Sequence, residues 1–262
     1  FLDIAIGRIV GDTFTEMSNL ATRTTTYDQL QDGNWEHRFV ESGLWGFDEW
    51  RPIMLNVGYD APEHLSEQEI SAKDSLEVGA ILHKDHSYCQ VLGHAFELST
   101  PTLFAPAIVV SRGCSVGGID LLNSNQRSIV DHMLGLGAVA FVGASRNAIA
   151  HNTIIEVSMW NHLLTGETAG QAFRSGINDT IVHWLDDNNS SALRYSLDIE
   201  VLFGDPAWEM SVPNEPTTLP AHAVEEDNVV TIHQPEEWTL IEFVPEQLEE
   251  WNFTGDLFMY AG

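Results

Sequence analysis

Short apolar runs alternate with amphipathic stretches along the first four fifths of the chain. Residues 107–110 are apolar at every position, as expected of a central parallel strand covered on both faces. Residues 138–143 have the same character, and residues 123–136 between them repeat apolar side chains at helical spacing. The order strand, helix, strand predicts an α/β fold with a mainly parallel sheet flanked by helices.

The same reading predicts further elements on both sides of this unit. Helices are predicted over residues 13–30, 66–83, 152–165 and 168–184. Strands are predicted over residues 2–7, 38–40, 52–57 and 88–94. Ser66 and Glu69 have the spacing of a capping box, which fixes the start of the second helix.

The composition changes at Pro213. Residues 213–262 contain eleven acidic residues and no Lys or Arg, and three strand-like runs lie at 229–233, 238–244 and 256–260. We therefore predict two domains, an α/β domain over residues 1–212 and a small acidic β appendage over residues 213–262. About fifty residues is short for a complete immunoglobulin-like sandwich, so the appendage is either partial or pairs with another chain.

The chain carries 39 Asp and Glu against 11 Lys and Arg, a formal net charge of −28. This charge argues against nucleic acid or an anionic membrane as partner. No apolar run approaches the ~18 residues that span a bilayer. The acidity predicts a secreted or cell-surface protein, in a saline setting or with bound calcium, although a merely soluble surface explains it equally well.

The chain starts at Phe1 in a stretch that already resembles a core strand. We expect it to be a piece of a longer precursor, whose other segments are candidate partners.

Two predicted strands end at residues that can perform nucleophilic chemistry. The run 107–110 leads to Cys114 and a pair of glycines, and the run 88–94 ends at His94, 114 − 94 = 20 positions earlier. A short crossover fits this gap, so we expect His94 and Cys114 side by side at the carboxyl edge of one sheet, where α/β proteins place reactive groups. The alternative for Cys114 is a buried structural thiol. Cys89 and Cys114 could form one disulfide, but we favour a free Cys114.

Five motifs in order resemble the gingipain-type cysteine peptidases of the caspase-like fold, over about Asp3 to Met210. They are DIAIGR at 3–8, LGHA at 92–95, SRGCSVGG at 111–118, GAVAFVGASRN at 137–147 and VLFGDPAWEM at 201–210.

The resemblance implies a cysteine endopeptidase that cleaves protein or peptide substrates and requires no cofactor. It implies Cys114 as nucleophile and His94 as its base, with the backbone N–H groups of Ala95 and Cys114 meeting the oxyanion. It also implies that Glu41 orients the histidine, unless Glu41 is an ordinary surface acid. The substrate pocket is expected at Ser145, Arg146 and Asn147.

Several alternatives stay open at this point. Arg146, together with Arg112, would make a local positive spot that favours an acidic substrate side chain, or Arg146 pairs with a neighbouring carboxylate. His83 and His86 are interpreted as a solvated helix end and not as a metal pair, because no second ligand cluster follows them. The rival function is a caspase-like scaffold that binds or assembles and does not cut.

Overall fold

The structure is a computed structural model that describes most of the chain. The described residues are 4–11, 13–25, 27, 34–56, 58–73, 75–100, 102–123, 125–148, 154–186, 191–212, 222–226, 229–233 and 242–243. The chain divides into two compact units, Phe1–Glu215 and Pro216–Gly262.

A six-stranded sheet forms the centre of the larger unit. From one edge to the other its strands are β11 (Glu200–Gly204), β10 (Ala138–Ala144), β9 (Ala107–Ser111), β4 (Ala80–His83), β1 (Phe39–Ser42) and β2 (Glu63–His64). All neighbouring strands are parallel except β10 and β11, which are antiparallel. The predicted mainly parallel α/β sheet is therefore confirmed.

Helices cover both faces of this sheet. They are α1 (Phe14–Thr25), α2 (Arg51–Asn56), α3 (Glu67–Ser71), α4 (Ile129–Leu136), α5 (Ile154–Leu163), α6 (Ala169–Asp186) and α7 (Ser191–Ile199). Ile108 and Val110 of β9 pack on the face that carries α2, α5 and α6, whereas Val109 packs on the face of α1, α3 and α4. Both faces of the strand are buried, which explains why its sequence is a continuous apolar run.

Two small sheets accompany the large one. Strands β5 (Ser87–Tyr88), β6 (Val91–Leu92) and β7 (Phe96–Glu97) form an antiparallel meander, and β3 (Ser75–Leu76) pairs in parallel with β8 (Leu103–Phe104). The prediction of one strand over residues 88–94 is therefore wrong. Tight turns at 89–90 and 93–95 divide that segment into short strands.

The prediction of one helix over residues 66–83 is also wrong beyond its first turns. The capping box of Ser66 and Glu69 is present and starts α3, but the helix ends at Ser71. The apolar residues that follow form β4, whose four positions are all buried. A short apolar run of this kind suits a buried strand and a buried helix equally, and the sheet decides the outcome.

Three other elements differ from the prediction. Residues 51–56 form α2 instead of a strand, because Trp50 and Met54 face the core one helical turn apart and Pro52 lies in the first turn, where it is tolerated. Helix α7 was not predicted. Residues 4–11 do not form a strand; Arg8 pairs with Phe203 in an isolated bridge, and the rest of the predicted strand at 2–3 lies outside the described residues.

The smaller unit contains an antiparallel sheet of β12 (His222–Glu226), β13 (Val229–His233) and β14 (Glu242–Phe243), in that order. Strand β13 matches its prediction, and β14 covers part of the run predicted at 238–244. The run predicted at 256–260 lies outside the described residues. Among the helices that the structure describes, none combines the length and apolar character that crossing a bilayer demands.

Helices α5 and α6 are joined by a histidine held between two carboxylates. His162 Nδ1 lies 2.8 Å from Glu167 Oε1, and its Nε2 lies 3.0 Å from Asp179 Oδ2. Burial lowers the pKa of His162, but hydrogen bonding to Asp179 and the charge of Glu167 outweigh that effect, so the pKa is raised. The charged imidazole therefore stabilises the folded state.

We expect His162→Gln to lower the free energy of unfolding near pH 5.5 by about 1 kcal/mol or less, because the site is partly exposed. A raised folded-state pKa stabilises fully below the unfolded value of ~6.5 and loses this effect as the pH rises through the folded value. The loss caused by the substitution should therefore shrink at pH 8.5, which urea unfolding at both pH values would measure. His64→Gln, at an exposed strand position, is the control. A loss that does not change with pH would contradict the prediction.

Candidate functional site

The carboxyl ends of β4 and β9 form the edge at which the predicted nucleophile lies. The two strands are parallel neighbours in which His83 is opposite Ser111, and the Arg112 N–H extends the pairing by donating to the His83 carbonyl at 2.8 Å. Counted from this pair, Cys114 and His86 both stand three residues farther along, since 114 − 111 = 86 − 83 = 3. His86 and Cys114 therefore stand equally far in sequence beyond the paired ends of two adjacent strands.

Gly113 and Ser87 lie close together beyond the two strands, but not in the strand register, since 113 − 87 = 26 whereas 111 − 83 = 28. A Cβ atom on Gly113 would collide with the Ser87 side chain, so that side chain can approach the backbone here only because residue 113 is glycine. Gly113 precedes Cys114 and Ser87 follows His86. The neighbours of the two candidate residues are therefore in contact.

Cys114 begins a tight turn over residues 114–117. It is a half-buried free thiol whose Sγ donates to the Ala148 carbonyl at 3.8 Å. The next residue, Ser115, has a left-handed φ of 54°, a conformation that side chains other than glycine adopt mainly where the surroundings require it. The Ser115 N–H donates to the Arg146 carbonyl at 2.8 Å, so the loop after β10 supports the turn.

His94 does not end a strand of the large sheet. It lies in the turn between β6 and β7, with a φ of 54°, and its side chain is 61% exposed. The strands beside β9 are β4 and β10, so the prediction that residues 88–94 form a neighbour of β9 is wrong. The partnership of His94 with Cys114 remains a prediction.

Asp85 connects three loops at this edge. Its carboxylate is fully buried, and it accepts hydrogen bonds from the Leu44 N–H at 3.0 Å, from His94 Nδ1 at 2.7 Å and from the His86 N–H. The sequence reading missed Asp85. The signal was present in HKDH, where an acid stands between two histidines, but the segment was interpreted as a helix end.

Glu41 has a different role from the predicted one. It is fully buried on β1, and Arg51 binds both carboxylate oxygens, with Nε 2.8 Å from Oε1. This hydrogen bond raises the pKa of Arg51. The acid that contacts a histidine at this edge is Asp85, and the burial of Glu41 also removes the alternative of an ordinary surface acid.

The two predicted oxyanion donors differ in their availability. The Ala95 N–H donates to the Leu92 carbonyl at 3.0 Å and closes the turn that contains His94. The Cys114 N–H has no acceptor within the part of the chain that the structure describes. Of the two predicted donors, Cys114 is therefore the one whose N–H is not used within the described residues.

The predicted pocket loop lies beside Cys114, but its arginine is paired. Arg146 makes a bidentate contact with Asp120, at 3.0 and 2.7 Å, and this contact lowers the pKa of Asp120. Ser145 donates its N–H to the Ile199 carbonyl at 2.7 Å, and Asn147 Oδ1 accepts from Ser115 Oγ at 3.3 Å. The alternative in which Arg146 pairs with a neighbouring carboxylate is the arrangement present.

Arg112 is buried below the edge and does not create a positive spot. Its Nη1 lies 2.7 Å from Glu156 Oε1 and 2.6 Å from Glu200 Oε1. Burial and the nearby Glu156 charge raise the pKa of Glu200 to about 8, although Arg112 opposes the shift. With Glu200 largely protonated at pH 7, Glu156 is the acid that offsets the arginine charge.

His83 is a fully buried histidine, so its interpretation as part of a solvated helix end is wrong. Its Nε2 is 2.9 Å from the Gly93 carbonyl and its Nδ1 is 2.8 Å from Ser111 Oγ. Burial lowers the pKa of His83 to about 4, so the ring is neutral at pH 7. Within the described residues no three His, Cys, Asp or Glu side chains are grouped to hold a metal ion.

The sequence model of peptidase family C25 matches residues 1–211. The chain belongs to peptidase family C25. The predicted relationship to the gingipain family is confirmed, and membership in family C25 supports a cysteine peptidase as the class of protein.

One solved structure similar to this C25 chain is described as "Structure of Protease", with 11% sequence identity and a TM-score of 0.61. The match covers 86% of this chain and 61% of that one, so the C25 chain spans less than two thirds of its structural neighbour. At this identity the likeness shows the fold, which is consistent with the caspase-like fold predicted. No curated protein sequence matches the chain.

We expect this C25 member to lose stability in acid through His83. Its pKa is about 4 in the folded state and ~6.5 when unfolded. Between these values only the unfolded state takes up the proton, so the free energy of unfolding should fall by up to about 3 kcal/mol as the pH falls from ~6.5 to ~4. Urea unfolding of the wild type and of His83→Gln across this range measures the difference. Parallel stability curves for the two proteins would rule the effect out.

Proposed function

We propose that this chain is a cysteine peptidase in which Cys114 attacks the peptide carbonyl carbon and His86 is its base. The observation that carries the proposal is that β4 and β9 are adjacent parallel strands, with His86 and Cys114 each three residues beyond their paired ends and Gly113 close to Ser87. Both follow buried strands, so the scaffold that presents them is rigid. A thiol nucleophile beside a base is the arrangement that acyl transfer needs.

The reaction follows from these two groups. The thiol proton passes to the His86 imidazole, and the thiolate sulfur forms a bond to the carbonyl carbon while the carbonyl oxygen takes the negative charge. The N–H of Cys114 donates to that oxygen. When the C–N bond breaks, His86 returns the proton to the leaving amine. Water then attacks the thioester with His86 as base, and the acid product leaves with the free thiol restored.

His86 is favoured over His94 because it follows β4, the strand that pairs with β9, whereas His94 lies in a turn of the meander. The His86 ring packs edge-on against Trp45, with the ring centroids 4.9 Å apart. His94, the histidine predicted from the sequence, stays the second candidate. Its ring is hydrogen-bonded to the Asp85 carboxylate, which also accepts the His86 N–H.

The rival proposal is a non-catalytic scaffold with this fold. A scaffold has no need of a half-exposed thiol beside a histidine, which favours the peptidase. A thiol-reactive peptide probe separates the two functions. Labelling of Cys114 in the native protein supports the enzyme, whereas labelling only after denaturation supports the scaffold.

We expect Cys114→Ala to reduce peptidase activity to background without unfolding the chain, because the nucleophile is removed from a turn. Cys89→Ala is the matched control. Cys89 is fully buried, and burial raises the pKa of its thiol, so it should contribute nothing to turnover. Hydrolysis of a fluorogenic peptide library measures both variants, with circular dichroism as the check on folding. Equal losses would indicate a packing role for the two cysteines.

His86→Ala should lower kcat/KM by at least about 100-fold, the usual contribution of a general base. His94→Ala should lower it by less than about 10-fold, since this ring would act only through Asp85. The same library, assayed between pH 5 and 9, measures both variants. The opposite ranking would return the catalytic role to His94.

Substrate selection is proposed only at the level of proteins and peptides. Because Arg146 is occupied by Asp120, we expect Arg146→Ala to leave the preferred substrate side chain unchanged. Profiling of the wild type and this variant on the same library provides the measurement. Loss of a preference for acidic side chains in the variant would instead place Arg146 in the pocket. Calcium binding, a secreted or cell-surface location and association with other precursor segments stay predictions.

A further inference from the structure

His83 is a buried polar residue at a position where the strand is otherwise apolar. The other three residues of β4 are Ala, Ile and Leu, and all four side chains are inaccessible to solvent. An imidazole in such a place costs free energy unless both ring nitrogens are hydrogen-bonded. Both are bonded here, and neither partner belongs to β4.

The partners fix the direction of every hydrogen bond. The Gly93 carbonyl can only accept, so the His83 proton lies on Nε2. Nδ1 is then an acceptor, and Ser111 Oγ donates to it at 2.8 Å. The same Ser111 oxygen accepts the Gly113 N–H at 3.2 Å. The result is a continuous relay from the Gly113 amide through Ser111 and His83 to the Gly93 carbonyl.

Both ends of the relay lie beside residues of the candidate site. Gly113 directly precedes Cys114, and Gly93 directly precedes His94. Gly93 also donates its N–H to Ser87 Oγ at 3.2 Å, and Ser87 follows His86. The relay therefore joins the turn of the nucleophile to the meander that follows His86.

We propose that His83 and Ser111 are positioning residues that set the distance between the Cys114 turn and the histidine loops. This inference rests on the proposed peptidase function. His83 and Ser111 would act by holding the backbone segments that carry Cys114 and His86. Neither His83 nor Ser111 would contact substrate. A displacement of about 1 Å between reacting groups can lower turnover by about 100-fold.

Three variants remove different parts of the relay. His83→Gln has an amide that can still donate toward Gly93, His83→Asn is too short to reach that carbonyl, and Ser111→Ala removes the hydroxyl while leaving the imidazole. We expect kcat to fall by about 10- to 100-fold in His83→Asn and Ser111→Ala, with KM within about twofold of wild type. His83→Gln should retain more activity than His83→Asn.

His132→Gln is the matched control for a general loss of stability. His132 is also a buried histidine; it lies on α4, and its Nε2 contacts the Thr100 carbonyl at 2.9 Å, outside the relay. It should lower the melting temperature as the relay variants do, with kcat unchanged. If it lowers kcat as much as His83→Asn, or if all three relay variants keep wild-type kcat, the positioning role is overturned.

A second measurement tests the positioning role of the relay independently of any peptidase activity. In a Cys89→Ala background, the rate at which iodoacetamide alkylates native Cys114 reports the placement of the thiol without any substrate. We expect His83→Asn and Ser111→Ala to change this rate by about 10-fold or more, and an unchanged rate would overturn the proposal. Absence of Cys114-dependent turnover in the wild type would instead refute the peptidase, with the alkylation rates still testing the relay.

Discussion

The parallel pairing of β4 with β9 is the constraint on which the rest of the site depends. Each strand is too short and too apolar to be stable alone, and pairing at the centre of the sheet buries both of its faces. Once His83 is opposite Ser111, the segments that carry His86 and Cys114 both begin at the same edge of the sheet. A shift of one residue would turn the strand's core side chains to the other face, so the core fixes the site through the register.

Beyond the carboxyl end of β4, the buried carboxylate of Asp85 connects loop segments that no main-chain turn joins. Asp85 holds the segment after β1 through the Leu44 N–H and the meander turn through His94. Charge-assisted hydrogen bonds of this kind are stronger than neutral ones, particularly away from solvent. Asp85 thereby links three loop segments at the carboxyl end of β4.

The sequence revealed those features that depend on local pattern. Continuous apolar runs identified β9 and β10, and the abrupt end of the first run identified Cys114 as a residue presented at a sheet edge. The register between strands is a tertiary property, so the choice of histidine could not be made in the same way. His94 followed a plausible strand that turned out to be a meander, and His86 lay in a polar segment that resembled a helix end. The pairings of Glu41 with Arg51 and of Asp85 with His94 likewise depend on loops that meet only in the folded chain.

The ion cluster of Arg112, Glu156 and Glu200 has a consequence for how this acidic chain responds to its medium. Most of its 39 acidic and 11 basic side chains can be screened by dissolved ions, whose effect at the surface reaches over ~8 Å at physiological ionic strength. The cluster is closed to solvent, and counter-ions cannot approach it. Changes in salinity therefore alter the repulsion between surface carboxylates but leave the charges below the nucleophile turn as they are. The electrostatic field of this buried cluster near Cys114 therefore does not depend on the ionic strength of the medium.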